Sequence, residues 1–155
     1  VITIDYLANH RYAIPELAQY FFAEWRAIYD RRRMSLSDVI AACEARAQTQ
    51  KLPLAFVALK DGVVIGTGCL KYGDFELRPQ LDPWLGGLFV LPNHRDQGVA
   101  TALIQRLLQE ARRLDLPVLY LWTASAEALY TKLGWEAIET LDYCGSSASV
   151  MKLVL

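Results

Sequence analysis

The segment Leu88-Phe89-Val90-Leu91-Pro92-Asn93-His94-Arg95-Asp96-Gln97-Gly98-Val99-Ala100-Thr101-Ala102-Leu103 constrains this chain more than any other. An apolar strand ends at Pro92, a polar turn closes on Gly98, and an amphipathic helix starts at once. The first N–H groups of a helix have no partners inside it. The helix macrodipole puts partial positive charge at the same place. Gly98 and Ala100 are small where bulk would hold a ligand off the backbone. Such a turn is a cradle for a pyrophosphate and needs no metal. Arg95 adds a cation, directed either at a phosphate or at the loop as a brace, and Thr101 adds a hydroxyl. The short pattern R-x-x-G-x-A is weak alone; its place between an apolar strand and an amphipathic helix gives it weight. The competing reading is an ordinary strand–helix turn with a capping glycine.

The rest of the chain supplies elements around that turn. Residues 2–7 read as a short strand. Pro15 can open a helix, because its missing N–H would be unpaired there anyway, and Leu17, Ala18, Phe21, Phe22, Trp25 and Ile28 recur at helical spacing. Ser35 or Ser37 can cap a second helix running to about Gln48. Strands at Leu54–Lys60 and Val63–Tyr72 flank Asp61-Gly62, a two-residue hairpin signal. Residues 73–83 read as a loop, and Trp84–Val90 as the strand that enters the glycine turn. The helix spans Val99–Leu114, on Leu103, Leu107, Ala111 and Leu114. Val118–Thr123 is a buried-type strand. Ala124–Leu133 is a short helix closed by Gly134. Glu136–Tyr143 and Ser149–Val154 are the last strands. A hairpin array leading into a β-α-β unit makes the sheet mixed, with helices on its faces.

Composition narrows the function. The 155 residues fit a single domain over 1–155, and the 54% hydrophobic content excludes intrinsic disorder. A net charge of -1 argues against nucleic-acid binding, which needs a basic field. No apolar stretch is long enough for a bilayer, so no membrane partner is expected. The start, Val1 to Tyr6, lacks the pattern of a secretory signal. Cys43, Cys69 and Cys144 read as reduced thiols of a cytoplasmic protein, with no metal set among them. Gly66-Thr67-Gly68-Cys69-Leu70-Lys71 only begins like a dinucleotide fingerprint, and it lies inside a strand pattern. No Walker, H-E-x-x-H or G-x-S-x-G pattern occurs.

A second block, Ala126-Glu127-Ala128-Leu129-Tyr130-Thr131-Lys132-Leu133-Gly134-Trp135-Glu136, follows at a fixed remove. Together the two blocks resemble the GCN5-related N-acetyltransferase (GNAT) family. The turn is similar to that family's R/Q-x-x-G-x-G/A loop and the second block to its A-x-x-x-Y-x-x-x-G-[FY] segment. The resemblance is strong over roughly 85–153 and fair in element order over 1–84. It implies an α/β (α+β) fold with a mixed, mostly antiparallel twisted sheet of about seven strands and helices on both faces. It also implies transfer of acetyl from acetyl-CoA, a cosubstrate, to a primary amine by direct attack, with no metal. The strand before the turn would splay from its neighbour, so that Leu88, Phe89 and Val90 hold pantetheine and the thioester oxygen. Backbone N–H groups of Asp96, Gln97, Gly98, Val99, Ala100 and Thr101 would hold the pyrophosphate, with Arg95 near. Tyr130 would protonate the departing thiolate. Homodimers are frequent in that family.

The chain departs from the family pattern in three places. Thr123 stands where many members have a cofactor-contacting Asn, and it reaches less far. Ala100 replaces the second loop glycine. The strand Val118-Leu119-Tyr120-Leu121-Trp122 carries no carboxylate to serve as base. Glu76, Asp82 and Asp142 are the remaining base candidates, with His94 in the loop, and water is the alternative. Trp84 and Phe75 flank a loop and are the better pocket aromatics; Tyr20, Tyr72 and Tyr143 are further candidates, whereas Phe21, Phe22 and most of Trp25 read as core. Asp74, Glu76 and Asp82 could attract a cationic amine, small molecule or peptide. Two other readings stay open: a non-catalytic module that senses acyl-CoA or binds a partner, and a CoA-independent structural protein.

Overall fold

The computed structural model describes residues 1–155. Its strands are β1 (Ile2–Tyr6), β2 (Leu54–Lys60), β3 (Val63–Lys71), β4 (Trp84–Val90), β5 (Val118–Thr123), β6 (Glu136–Tyr143) and β7 (Ser146–Val154). They form one seven-stranded sheet in the order β1-β2-β3-β4-β5-β7-β6. Every neighbour pair is antiparallel except β4 and β5, which are parallel. The helices are α1 (Ile14–Glu24), α2 (Arg26–Arg31), α3 (Leu36–Ala45), α4 (Val99–Arg113) and α5 (Glu127–Lys132). No helix is long and apolar enough to cross a membrane.

Strand β2 shows why the sheet is covered on both sides. Its first six residues are all buried, and period-2 alternation sends them to opposite faces. Leu54, Phe56 and Ala58 join Leu103, Ile104 and Leu107 of α4. Ala55, Val57 and Leu59 join Leu17, Phe21, Val39 and Cys43 of α1 and α3. A third cluster, centred on Phe75, Trp84 and Tyr143, seals the far end of the sheet.

The expected single helix through Ile28 is instead broken. Trp25 takes φ −111 and ψ 34, and the chain restarts as α2. The Trp25 ring stays on Phe21 and Phe89, with centroids 5.2 and 6.1 Å apart. No Gly or Pro marks this break, so spacing alone reads through it. Helix α3 starts with a capping box, Ser35 and Asp38 bonding each other's backbone N–H groups, and stops at Ala45, short of Gln48. Helix α5 is shorter than Ala124–Leu133, because Thr123 Oγ1 accepts from the N–H groups of Ser125 and Ala126 and holds them in a turn. Strand β7 begins at Ser146, and a turn through Cys144 and Gly145, both at positive φ, closes the hairpin tightly.

Candidate active site

The parallel pair β4 and β5 makes the site by failing to stay together. The two strands pair only at Trp84 and Tyr120, where Tyr120 N–H also donates to Pro83 O at 3.0 Å. Beyond that point they part. The opening is a cleft of about 780 Å³ running from Lys71, Asp74 and Gly86 to the start of α4. This is the splay that the family resemblance implies. It leaves one edge of β4 without a strand partner, and unpaired strand edges attract extended ligands.

Direction along β4 sorts its backbone groups. Leu91 N–H donates to Ile65 O on β3 at 2.9 Å, and Phe89 lies opposite Thr67. Alternation then turns the main-chain groups of Leu88 and Val90 toward the cleft and those of Phe89 toward β3. Val90 O accepts from Arg95 Nε at 2.9 Å, and the Arg95 guanidinium sits 5.4 Å from the Phe89 ring centroid. Arg95 is therefore a brace for the loop.

At the end of the cleft the chain turns through Asp96 at φ 60 and Gly98 at φ 81, left-handed conformations that prepare the helix start. Gly98 is the N-cap of α4 and offers no capping side chain. The N–H groups of Asp96 through Thr101 have no acceptor within the protein. They form an outward-facing row of donors at a positive helix end. Leu88, Phe89, Val90, Arg95, Asp96, Gly98, Val99, Ala100, Thr101, Thr123 and Tyr130 all line the cleft; Gln97 is exposed outside it. His94 lines it too, with a buried Nδ1 that has no partner.

Tyr130 reaches the same cleft from α5. The residue is 6% exposed, its ring rests edge-on against Trp135, and its hydroxyl makes no hydrogen bond within the protein. Burial pushes the phenol up from 10.0 to about 12, so it stays neutral. Thr123 keeps its O–H to donate, although its oxygen already accepts from the α5 turn.

The opposite end is built on two glycines. One extra residue in β4 relative to β3 makes a bulge between Phe89 and Gly86, and Gly87 takes φ 56 there. A bulge lets two successive residues face one side. A Cβ on Gly86 would stand 2.9 Å from Asp74 Oδ2, and a Cβ on Gly87 2.9 Å from Arg46 Nη1. Asp74 is paired with Lys71 at 3.1 Å. Trp25, Tyr29, Met34 and Trp122 supply apolar walls.

The sequence-based candidates for this end need correction. Glu76 is not a free base: it takes Arg31 at 3.1 Å, Arg32 at 3.0 Å and the Tyr143 hydroxyl. Burial opposes ionisation, yet the Tyr143 bond and the arginines hold its carboxyl below the usual range. Asp82 Oδ1 accepts from Gly73 N–H at 2.7 Å and braces a turn. Asp142 is exposed on β6, near the hairpin end. None of these three lines the cleft; at this end Asp74 and Glu24 are the carboxylates that do, with Asp96 at the far end by α4. Phe75 and Trp84 are 1% and 0% exposed and belong to the core, where Trp84 Nε1 donates to Leu81 O. Tyr20 packs on Phe89, Tyr72 is exposed and Tyr143 is held by Glu76, so none of these lines the cleft, whereas Trp25, expected mostly in the core, does. Sequence reasoning misses Arg46, Tyr29 and Trp122. Their only sequence signal is a cation and aromatics close to apolar stripes, which surface and core explain as well.

Comparison with known proteins identifies the family and the fold. A family model described as Acetyltransferase (GNAT) family matches residues 14–135. Among solved structures, yncA from Salmonella typhimurium, with its cofactor acetyl-CoA, superposes at TM-score 0.74 over 99% of this chain and 94% of its own, at 22% identity. An N-acetyltransferase from Staphylococcus aureus Mu50 gives TM-score 0.75 over 99% of this chain and 98% of its own, at 22% identity. A ribosomal-protein-alanine N-acetyltransferase from Brucella melitensis gives 0.73 over 100% and 99%, also at 22%. Identities this low speak for the fold. No curated protein sequence matches.

Proposed function

Because the chain belongs to the GNAT acetyltransferase family, we propose that it moves an acetyl group from acetyl-CoA to the nitrogen of a primary amine. The observation that carries this reading is the row of unpartnered N–H groups from Asp96 to Thr101 at the mouth of the β4–β5 split. A diphosphate needs such a row, and an extended pantetheine arm needs the free edge of β4 that leads away from it. Acetyl-CoA supplies the activated thioester. Leu88 and Val90 offer it main-chain groups, and Thr123 a hydroxyl.

The chemistry sets what the side chains do. The nitrogen–carbon bond forms, the carbon–sulfur bond breaks, one proton leaves the amine and one ends on the CoA thiol. The amine must arrive neutral; a peptide α-amine, of pKa about 7.7–8.0, is partly free at pH 7, whereas a lysine-type amine of about 10.4 must shed its proton in the cleft. Tyr130 faces the departing sulfur. Full transfer from a phenol at about 12 to a thiolate whose acid lies near 8.5 is uphill by about 5 kcal/mol. Tyr130 therefore acts chiefly by donating a hydrogen bond to the developing thiolate, whose proton comes in the end from the amine. Glu76, Asp82 and Asp142 are turned away, Asp74 is held by Lys71 and Glu24 is exposed at the rim, so water in the open cleft takes that proton.

The withdrawal of those three carboxylates favours one second reading, a module that binds acyl-CoA without transferring it. A thiol-release assay over amines, peptide N-termini and lysine peptides, run beside calorimetric titration with acetyl-CoA, separates the two. Release that depends on an amine supports transfer; tight binding without release supports the module; no binding at millimolar CoA overturns both.

A further inference from the structure

Arg46 is the one cation of the cleft's acceptor end with no anion of its own. Lys71 has Asp74, and Arg32 has Glu76 and the Asp74 carbonyl at 2.8 Å. The Arg46 guanidinium makes no hydrogen bond or ion pair; its neighbours are Gly87 and Cys69, with Cys43, Asp74 and Tyr29 acting on its charge. It comes from the end of α3, where its own carbonyl is anchored by Ala55 N–H at 3.0 Å, so the arm enters the cleft from a fixed base. Leaving a guanidinium half-buried and unpaired is costly unless a ligand completes it. Its fork matches a carboxylate bidentately.

We propose that the acceptor is a small amino acid, its carboxylate held by Arg46 and its amine directed to the acetyl carbon beside Asp74. This rests on the acetyl-transfer reading above. The bulge puts the two groups over successive residues, Gly86 and Gly87, whose Cα atoms are about 3.8 Å apart. That spacing suits an amine and a carboxylate on the same or adjacent carbons. Asp74 attracts the ammonium form as it enters. Trp25, Tyr29, Met34 and Trp122 leave room for an apolar side chain. The glycines are part of the device, since any side chain at Gly87 would meet both the guanidinium and a left-handed backbone.

The test compares free amino acids (α-amino acids and β-alanine) with their primary amides, in wild type and in Arg46→Gln and Arg46→Lys. Wild type is expected to prefer acids over amides by about a hundredfold in kcat/KM, a difference of about 3 kcal/mol. Arg46→Gln should erase most of that preference through KM for the acids, leaving amides and the acetyl-CoA Kd within about threefold. Arg46→Lys should restore part of it. Equal or better use of amides by wild type overturns the assignment. So does an equal loss for acids and amides in Arg46→Gln at unchanged melting temperature. Acetyl-CoA binding with transfer to neither series overturns the assignment alone, whereas absence of acetyl-CoA binding removes the parent reading with it.

Discussion

At the scale of single residues, Tyr130 and Arg46 contrast what a sequence can and cannot disclose. Tyr130 is legible, because its place in a recognisable block next to Gly134 gives it a role before any coordinates. Arg46 is not, because nothing local distinguishes a helix-end arginine that enters a cleft from one that meets water. It acquires meaning only through Gly87, far along the chain, whose missing Cβ makes its space. Tyr130→Phe removes one hydrogen bond to the leaving sulfur and little else. It should lower kcat by about 10–100-fold and leave the acetyl-CoA Kd nearly unchanged. Steady-state kinetics with calorimetry checks this; unchanged kcat would show that Tyr130 has no part in the reaction. Since the phenol titrates only at about 12, the wild-type rate should rise with pH through the pKa of the acceptor amine. It should then stay level to about pH 10. A fall with a pKa below about 10 would mean that some other acid is needed.

At the scale of elements, local pattern and tertiary pairing divide the work. The strands and α4 are legible because their apolar periodicities are strong and their turns carry Asp61-Gly62, Pro92 and Gly98. The break at Trp25 is not, since a one-residue interruption without Gly or Pro keeps the same spacing. Nor can period show that β4 and β5 meet at one residue pair and then part. That follows from the bulge and from which strands lie outside. The donor row at α4 can be tested by filling it from within. A Cβ on Gly98 would meet nothing within 4 Å, and Asp and Asn tolerate its left-handed backbone better than most residues. Gly98→Asp places a carboxylate against the row, so CoA should bind at least tenfold more weakly, at a melting temperature lowered by only a few degrees. Gly98→Asn, of the same shape without the charge, should lose only a few fold. Identical affinities for wild type and Gly98→Asp would mean that the row does not hold the diphosphate.

At the scale of the whole molecule, two cores on opposite faces of one sheet are tied at their edges by ionised and phenolic groups, and these decide where the fold survives. Glu110 is 0% exposed on α4 and takes Arg113 at 2.7 Å, Arg106 at 3.2 Å and the Tyr6 hydroxyl at 3.1 Å, joining α4 to β1. Burial opposes its ionisation, but the bonds from Arg113 and Tyr6 and the Arg113 charge outweigh it, so its carboxyl titrates below the usual range. Glu76 behaves alike at the other end of the sheet. The unfolded chain thus binds protons more readily than the folded one, and this support is complete above the ordinary carboxylate pKa of about 4.3. It is lost as pH falls through that value toward the folded ones. The tyrosines act in the opposite sense. Tyr29, Tyr130 and Tyr143 each rise from 10.0 to about 12, burial being the largest cause. Their support is complete below 10 and is lost as pH climbs toward 12; for buried Tyr130 alone the rise is worth about 3 kcal/mol. Urea midpoints should therefore form a plateau between about pH 5.5 and 9.5 and drop on both sides. Glu110→Gln should lose about 2 kcal/mol at pH 7, because a neutral amide leaves Arg113 and Tyr6 poorly matched. Its decline between about pH 5 and 3 should also be shallower, since the group that titrated there is gone. An acid limb as steep as wild type's would assign that limb to Glu76 and the surface carboxylates, and would leave Glu110 a packing residue only.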